Sequence, residues 1–321
     1  MGTNRRTFLT GTGVAATVGL AGCIGDLVGS DDDDVIDMVL NPAEGGVDMS
    51  EQYAQFFQYV EDEADITVDY SEAESYTATV AAIENEQAEL ADISPTGVVA
   101  APDSMDILGM RIQHGAAVYF STIVTTPDSP IDELSDIEED HDVHLADQLS
   151  VSGGLYPLMM LHEGGLDVGD APDGSPEDFE VSYSDHDTAL NQLFEREDVV
   201  AAGTGAFVSS EYLSEDQMSD DFMEHSAEVD NLDTGDEELQ LLAVSDPIPR
   251  APIVARSNWD DPVVEEIEEA LLEAEEEDLV DEDAEDPLWF TGVEEATIED
   301  YEPIEDAMDT LDLAFEDVAD E

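Results

Sequence analysis

Ser150-Val151-Ser152-Gly153 puts two hydroxyl donors and a residue without a side chain directly ahead of the apolar helical pattern YPLMML. That order of residue types suits a helix start whose backbone N–H groups stay open. The first turn has no intrahelical acceptor for them, and the helix dipole is positive there. Phosphate-like oxygens match such a site, with the hydroxyls as added donors and the glycine permitting close backbone approach. No charge occurs from Leu149 to Leu161, although the chain carries 85 Asp plus Glu. His186 is a second candidate donor, at the head of SDHDTALNQLFE, where Ser184 or Asp185 can cap a helix whose Ala189, Leu190 and Leu193 face inward. Its imidazole can donate neutral or protonated, and Asp187, if close, would favour the protonated form.

These residues make a binding set without catalytic machinery. The chain has no Gly-x-Ser-x-Gly elbow, no phosphate loop with a lysine, and no nucleophile beside an evident base. The remaining histidines, His114, His141, His144, His162 and His225, lack metal-ligand spacing, so neither a metal nor a cofactor is expected.

The elements that must hold these donors belong to a chain of 321 residues, long enough for two lobes or one large α/β domain. An apolar fraction of 42% supports a packed core, which argues against reading the acidity as disorder. The net charge is -79, and all six basic residues are Arg. Carboxylates spread along the chain suit molar salt, where screening falls to about 3 Å. A cation-binding protein is the competing reading, against which the acids are not gathered into ligand-spaced clusters. Nucleic acid is excluded as a partner, because phosphate neutralisation needs many Lys and Arg.

Asn4-Arg5-Arg6-Thr7-Phe8-Leu9 reads as a twin-arginine export signal, followed by GTGVAATVGLAG, too short and glycine-rich to span a bilayer. Leu20-Ala21-Gly22-Cys23 matches a lipobox, and Cys23 is the single cysteine. Residues 1–22 are expected to be removed, Cys23 to carry lipid, and residues 23–34 to form an acidic tether holding the folded part at the outer face of the cell membrane.

Past the tether, apolar runs alternate with helical patterns, the signature of βαβ units and mainly parallel sheet. Strands are expected at 35–40, 65–70, 89–93, 142–146, 179–183 and 198–202. A helix is expected from Asp261-Pro262 onward with Val263, Val264, Ile267, Ala270 and Leu271 on one face. The extended apolar runs 116–126 and 239–256 read as two crossovers between lobes. Residues 35–121 and 247–321 then form lobe 1 and residues 122–246 form lobe 2, with a two-strand hinge and a cleft between them.

The order of several motifs resembles the substrate-binding proteins of ABC importers for phosphate, phosphite and phosphonate. These motifs are Tyr119-Phe120-Ser121, Asp128-Ser129-Pro130-Ile131, Ser150-Val151-Ser152-Gly153 with Pro157, His186-Asp187, Ser245-Asp246-Pro247-Ile248-Pro249 and Leu288-Trp289-Phe290-Thr291-Gly292. The resemblance implies a type II periplasmic-binding-protein fold, a monomer, and ABC permease and ATPase subunits as partners. It also implies that a Ser-Thr-Ser-Gly motif holding the phosphonyl oxygens falls on residues 150–153, with Val151 replacing one hydroxyl, and that His186 donates to the ligand. Tyr119 is a candidate contact. The first-lobe loop, Asp92-Ile93-Ser94-Pro95-Thr96-Gly97, is shorter than the family pattern and lacks its aromatic residue, yet Ser94 and Thr96 can still donate to an anion. Another solute, such as a carboxylate or a thiamine precursor, is the alternative for the same fold.

Overall fold

The computed structural model describes residues 34–41, 49–148, 150–172, 174–281, 284, 286–311 and 313. The twin-arginine segment, Cys23 and the tether as far as residue 33 lie outside the described residues, as does Leu149. No helix among the described residues is long and apolar enough to cross a membrane.

Thirteen strands follow one another along the described residues. They are β1 Asp34–Leu40, β2 Ile66–Glu72, β3 Leu90–Asp92, β4 Met105–Ile112, β5 Val118–Tyr119, β6 Ser121–Thr125, β7 Asp142–Leu145, β8 Glu180–Tyr183, β9 Val199–Gly205, β10 Gln240–Val244, β11 Ile248–Pro249, β12 Pro252–Arg256 and β13 Gly292–Glu294. One sheet has the order β13-β4-β12-β3-β1-β2 and a second has the order β10-β6-β9-β7-β8. Between them stands a two-stranded ribbon in which Tyr119 pairs with Ile248 and Val118 with Pro249.

The sheets are mixed, where the run of apolar segments suggested mainly parallel pairing. Parallel neighbours occur only in β2–β1–β3 and β8–β7–β9, the strands linked through helices. Three of the antiparallel pairings share one cause. The chain runs out of the first sheet through β4, β5 and β6 and returns through β10, β11 and β12, so β4 meets β12, β5 meets β11 and β6 meets β10 head to tail. No helical crossover intervenes in these passages, and parallel pairing requires one.

Helices cover both sheets. Val263–Glu273 buries Val263, Ile267, Ala270 and Leu271, with Val264 half-buried, and Asp261 accepts the Val263 N–H at 3.1 Å. Its outer face repeats Glu265, Glu266, Glu268 and Glu269, where like-charge neighbours one turn apart cost about 0.2–0.5 kcal/mol each. Each large buried side chain contributes about 1.5–3 kcal/mol, so burial decides the helix.

Four apolar clusters form the interior. One of them joins the lobes. Ile93 and Val98 from the first lobe share it with Val151, Leu155 and Tyr156 from the second, and with Ile304 of the helix Glu302–Thr310. The Tyr156 hydroxyl donates to the Pro303 carbonyl at 3.2 Å.

The buried ring of His144 on β7 has no hydrogen-bond partner on either nitrogen among the described residues. Burial holds its pKa below the ordinary histidine value, assisted by Arg196 and opposed by Asp142. Below about pH 6.5 the unfolded chain takes up a proton that folded His144 refuses. Stability should therefore fall, by up to about 1.4 kcal/mol per pH unit, until the lower folded pKa is reached. Melting curves from pH 7.5 to pH 5 should show this loss in the parent and not in His144→Leu. Equal slopes would remove His144 as the cause.

Candidate ligand-binding site

The loop after β7 leads into one helical run. Ser150 caps a π-turn, Val151–Leu155, which continues as the α-helix Tyr156–Glu163. Wide turns of this kind collect at functional sites. The Ser150 hydroxyl accepts the Gly153 N–H at 3.1 Å and lies 3.1 Å from His186 Nε2. At the second helix start, His186–Glu195, Asp185 is the cap and accepts the Thr188 N–H at 2.8 Å. These bonds to Thr188 hold the Asp185 carboxyl below its usual pKa. Ala189, Leu190 and Leu193 of this helix are buried, as their spacing predicts.

The hydrogen bonds determine the histidine tautomer. Gly205, at the end of β9, donates its N–H to His186 Nδ1 at 3.0 Å, so Nδ1 carries no proton and Nε2 must carry one. The neutral ring therefore donates to Ser150. The protonated form that Asp187 was expected to favour would break the bond from Gly205. Ser150 Oγ then receives two donors, one from His186 and one from Gly153, which occupy both lone pairs. Its own O–H is left to point outward as a donor. Beside it, Val151 and Ser152 occupy the first two helical positions, where no i−4 carbonyl exists for their N–H groups. The Ser152 carbonyl takes the Ser121 hydroxyl at 2.7 Å, and Ser121 and Ser245 clasp each other where the crossovers run side by side.

From the first lobe, Ser94 caps the short helix Pro95–Ala100, accepting the Gly97 N–H at 3.1 Å, and its hydroxyl lies 2.9 Å from that of Thr96. Both side chains are buried. Asp92, just before this loop, is pinned by the Tyr53 hydroxyl and by Arg111, whose guanidinium lies 4.6 Å over the Trp289 ring. The structure thus joins Ser150, Val151, Ser152, Gly153 and His186 in one group and Ser94 with Thr96 in another. The two meet through the shared apolar cluster, and no hydrogen bond links Ser94 or Thr96 to Ser150 or His186 among the described residues.

Tyr119 stands in the hinge ribbon, with the guanidinium of Arg250 5.5 Å from its ring centre. Arg250 is buried and bound to the Ala116 carbonyl at 3.1 Å and to Gln113 Oε1 at 2.9 Å. Arg111, Arg196 and Arg256 each pair with a carboxylate, whereas Arg250 has none within ion-pair distance among the described residues. Burial lowers its pKa to about 10, which leaves it charged at neutral pH.

Sequence reasoning missed Arg250, Gly205 and the roles of Ser121 and Ser245. The two serines lay inside recognised motifs, and Arg250 directly follows one. Their roles depend on which strands lie together, so no local pattern carried them.

Two α/β lobes joined by a two-strand hinge, with neutral donors at helix starts near the junction, define the class of bilobal solute-binding proteins. The family model for the phosphonate periplasmic substrate-binding protein of ABC transporters matches residues 38–301. The chain belongs to that family. No curated protein sequence matches it. Among solved structures it is similar to a Xanthomonas citri protein bound to ATP, with 16% identity over 87% of this chain and 97% of the other and a TM-score of 0.63. It is also similar to a binding-protein component of a Pseudomonas aeruginosa ABC phosphonate transporter, with 16% identity over 88% and 87% and a TM-score of 0.60. A Prochlorococcus marinus protein in complex with methylphosphonate has 13% identity over 88% and 99% and a TM-score of 0.60. The fold is accordingly the two-lobed type II periplasmic-binding-protein fold.

Proposed function

We propose that this protein is a lipid-anchored receptor on the outer face of the cell membrane, which captures a phosphonate, phosphite or phosphate between its lobes and delivers it to an ABC permease. Lobe 1 comprises residues 35–121 and 247–321, and lobe 2 comprises residues 122–246. Ser150, Val151 and Ser152 supply hydroxyl and backbone donors, Gly153 permits close approach of the ligand to the backbone, and His186 fixes Ser150. Tyr119, Ser94 and Thr96 close the site from the hinge and the first lobe. The protein is a monomer without cofactor or catalysis.

One observation carries this reading. The Ser150 hydroxyl has both lone pairs engaged, so its proton is left to donate beside the N–H groups of Val151 and Ser152, which have no backbone acceptor outside the helical run among the described residues. That hydroxyl, these two N–H groups and the Ser152 hydroxyl form a set of neutral donors that suits a compact oxyanion. Neutral donors also suit release, because a buried ion pair opened at each transport cycle would be costly. The neighbours crystallised with methylphosphonate and with ATP support phosphonyl or phosphoryl chemistry.

Calorimetric titration in molar salt with methylphosphonate, phosphite, phosphate, ATP and acetate tests the reading. Ser150→Ala and Ser152→Ala should each weaken the preferred anion about ten- to a hundredfold, the worth of one hydrogen bond to a charged group. The thermal midpoint should shift only by the loss of a cap, about 1 kcal/mol. If acetate alone binds, or if both variants match the parent, the oxyanion reading of this site fails.

Anchoring is tested separately. Cys23→Ser should leave the folded part unchanged and move the protein from the membrane fraction to the medium, because a polar tether without lipid has no membrane affinity. A processed mutant that stays with the membrane would overturn the lipoprotein assignment.

A further inference from the structure

Phe207 has no part in the donor set yet stands against it. It lies in the short helix Ala206–Ser209 that follows β9, and 45% of its surface is exposed. Its neighbours Ala206 and Val208 pack into the cluster around Phe120 and Phe222, whereas Phe207 joins none of the apolar clusters. The other large apolar residues exposed among the described residues, Val35, Tyr70 and Ile298, lie on the first sheet or in the turn Ile298–Tyr301. The ring of Phe207 meets that of His186 edge-on, with centroids 4.9 Å apart and an interplanar angle of 60°. It also folds back over Gly205, where a Cβ would stand 2.1 Å from its Cε1, so Gly205 is the only residue that admits this ring position. His186, held by the Gly205 N–H, donates in turn to Ser150. One contact thus separates an exposed aromatic ring from the hydroxyl that faces the anion.

We propose that Phe207 reads the organic substituent of the bound anion, so that affinity rises with the length of an apolar alkyl group on phosphorus. The inference rests on the oxyanion reading above. The donors are small and polar and can engage only the oxygen end of a ligand. A group on phosphorus must lie beyond them, and on the His186 side the surface it meets is Phe207. Burying alkyl surface against the ring removes it from water, in proportion to the length of the alkyl group. The helix Ala206–Ser209 carries no charged side chain to bind an ammonium group instead.

Titration of phosphate, methylphosphonate and propylphosphonate into the full chain in molar salt tests the proposal, with thermal melts as the check on folding. The parent should gain about fourfold in affinity per methylene from methyl- to propylphosphonate. Phe207→Ala should flatten that series while phosphate binding stays within about threefold of the parent, and Phe207→Leu should restore most of the gain. A parent without chain-length dependence, or a Phe207→Ala that weakens all three anions equally or none of them, would overturn the proposal. A parent that binds none of the three would reject the oxyanion reading itself, and that result appears before any variant is made.

Discussion

Gly153→Ala is expected to abolish binding while most of the fold survives. A Cβ at this position would lie 2.3 Å from the Ala146 Cβ, 2.7 Å from His186 Cε1 and 3.1 Å from Ser150 Oγ. The backbone cannot retreat freely, because the Gly153 carbonyl accepts the Ala146 N–H at 2.9 Å. The His186 ring and the head of the helical run must therefore separate, which breaks the relay from Gly205 through His186 to Ser150. Two or three donors then miss the anion together, at about 1.5–3 kcal/mol each, a loss of more than about a hundredfold. Overpacking should cost the fold about 1–3 kcal/mol, visible as a modest drop in the melting temperature. Gly153→Asp adds a carboxylate to the same clash and should bind nothing at any salt concentration. Calorimetry beside a melt separates the two effects, and a folded Gly153→Ala that binds within threefold of the parent would show that the anion sits elsewhere. The glycine serves a further purpose besides the close ligand approach read from the sequence, since it lets the helix start pack against β7 and His186.

Low salt is expected to have the largest effect on the protein as a whole. Against 85 acids stand six Arg, of which the described four are engaged within the fold. Two carboxylates about 8 Å apart repel by about 0.5 kcal/mol in unscreened water. Several dozen such neighbours would together exceed the usual stability of about 5–15 kcal/mol. At 1 M salt the screening length is about 3 Å and most of this repulsion vanishes, whereas at 0.01 M it is about 30 Å and the whole surface interacts. Circular dichroism during dilution from 2 M to 0.05 M salt should show cooperative unfolding, reversed when salt is restored. A melting temperature that stays constant over that range would end the reading of the surface as an adaptation to salt.

The local features were legible in the sequence because their causes are local. The alternating apolar runs became β1, β2, β3, β7, β8 and β9 within a few residues of their expected bounds. Asp185 caps its helix, Ser150 caps the π-turn, and Val263, Ile267, Ala270 and Leu271 line one buried face, since caps and helical periodicity act over three or four residues. The order of short motifs along the chain was likewise enough to suggest the family that the comparison then established.

Tertiary structure decided what depends on neighbours distant in the chain. Mixed sheet pairing follows from an outward and a return passage that meet only in space, Val118–Tyr119 against Ile248–Pro249. The acceptor role of His186 Nδ1 is set by the Gly205 N–H, nineteen positions away, a partner that the sequence does not bring to notice. Only folding sets Arg250 beside Tyr119, with no carboxylate within ion-pair distance among the described residues, and only Gly205 lets Phe207 fold onto His186. A side chain's type is written in the sequence. Its protonation state and exposure are set by the groups that the fold brings within a few ångströms, because desolvation and hydrogen bonding act over that range.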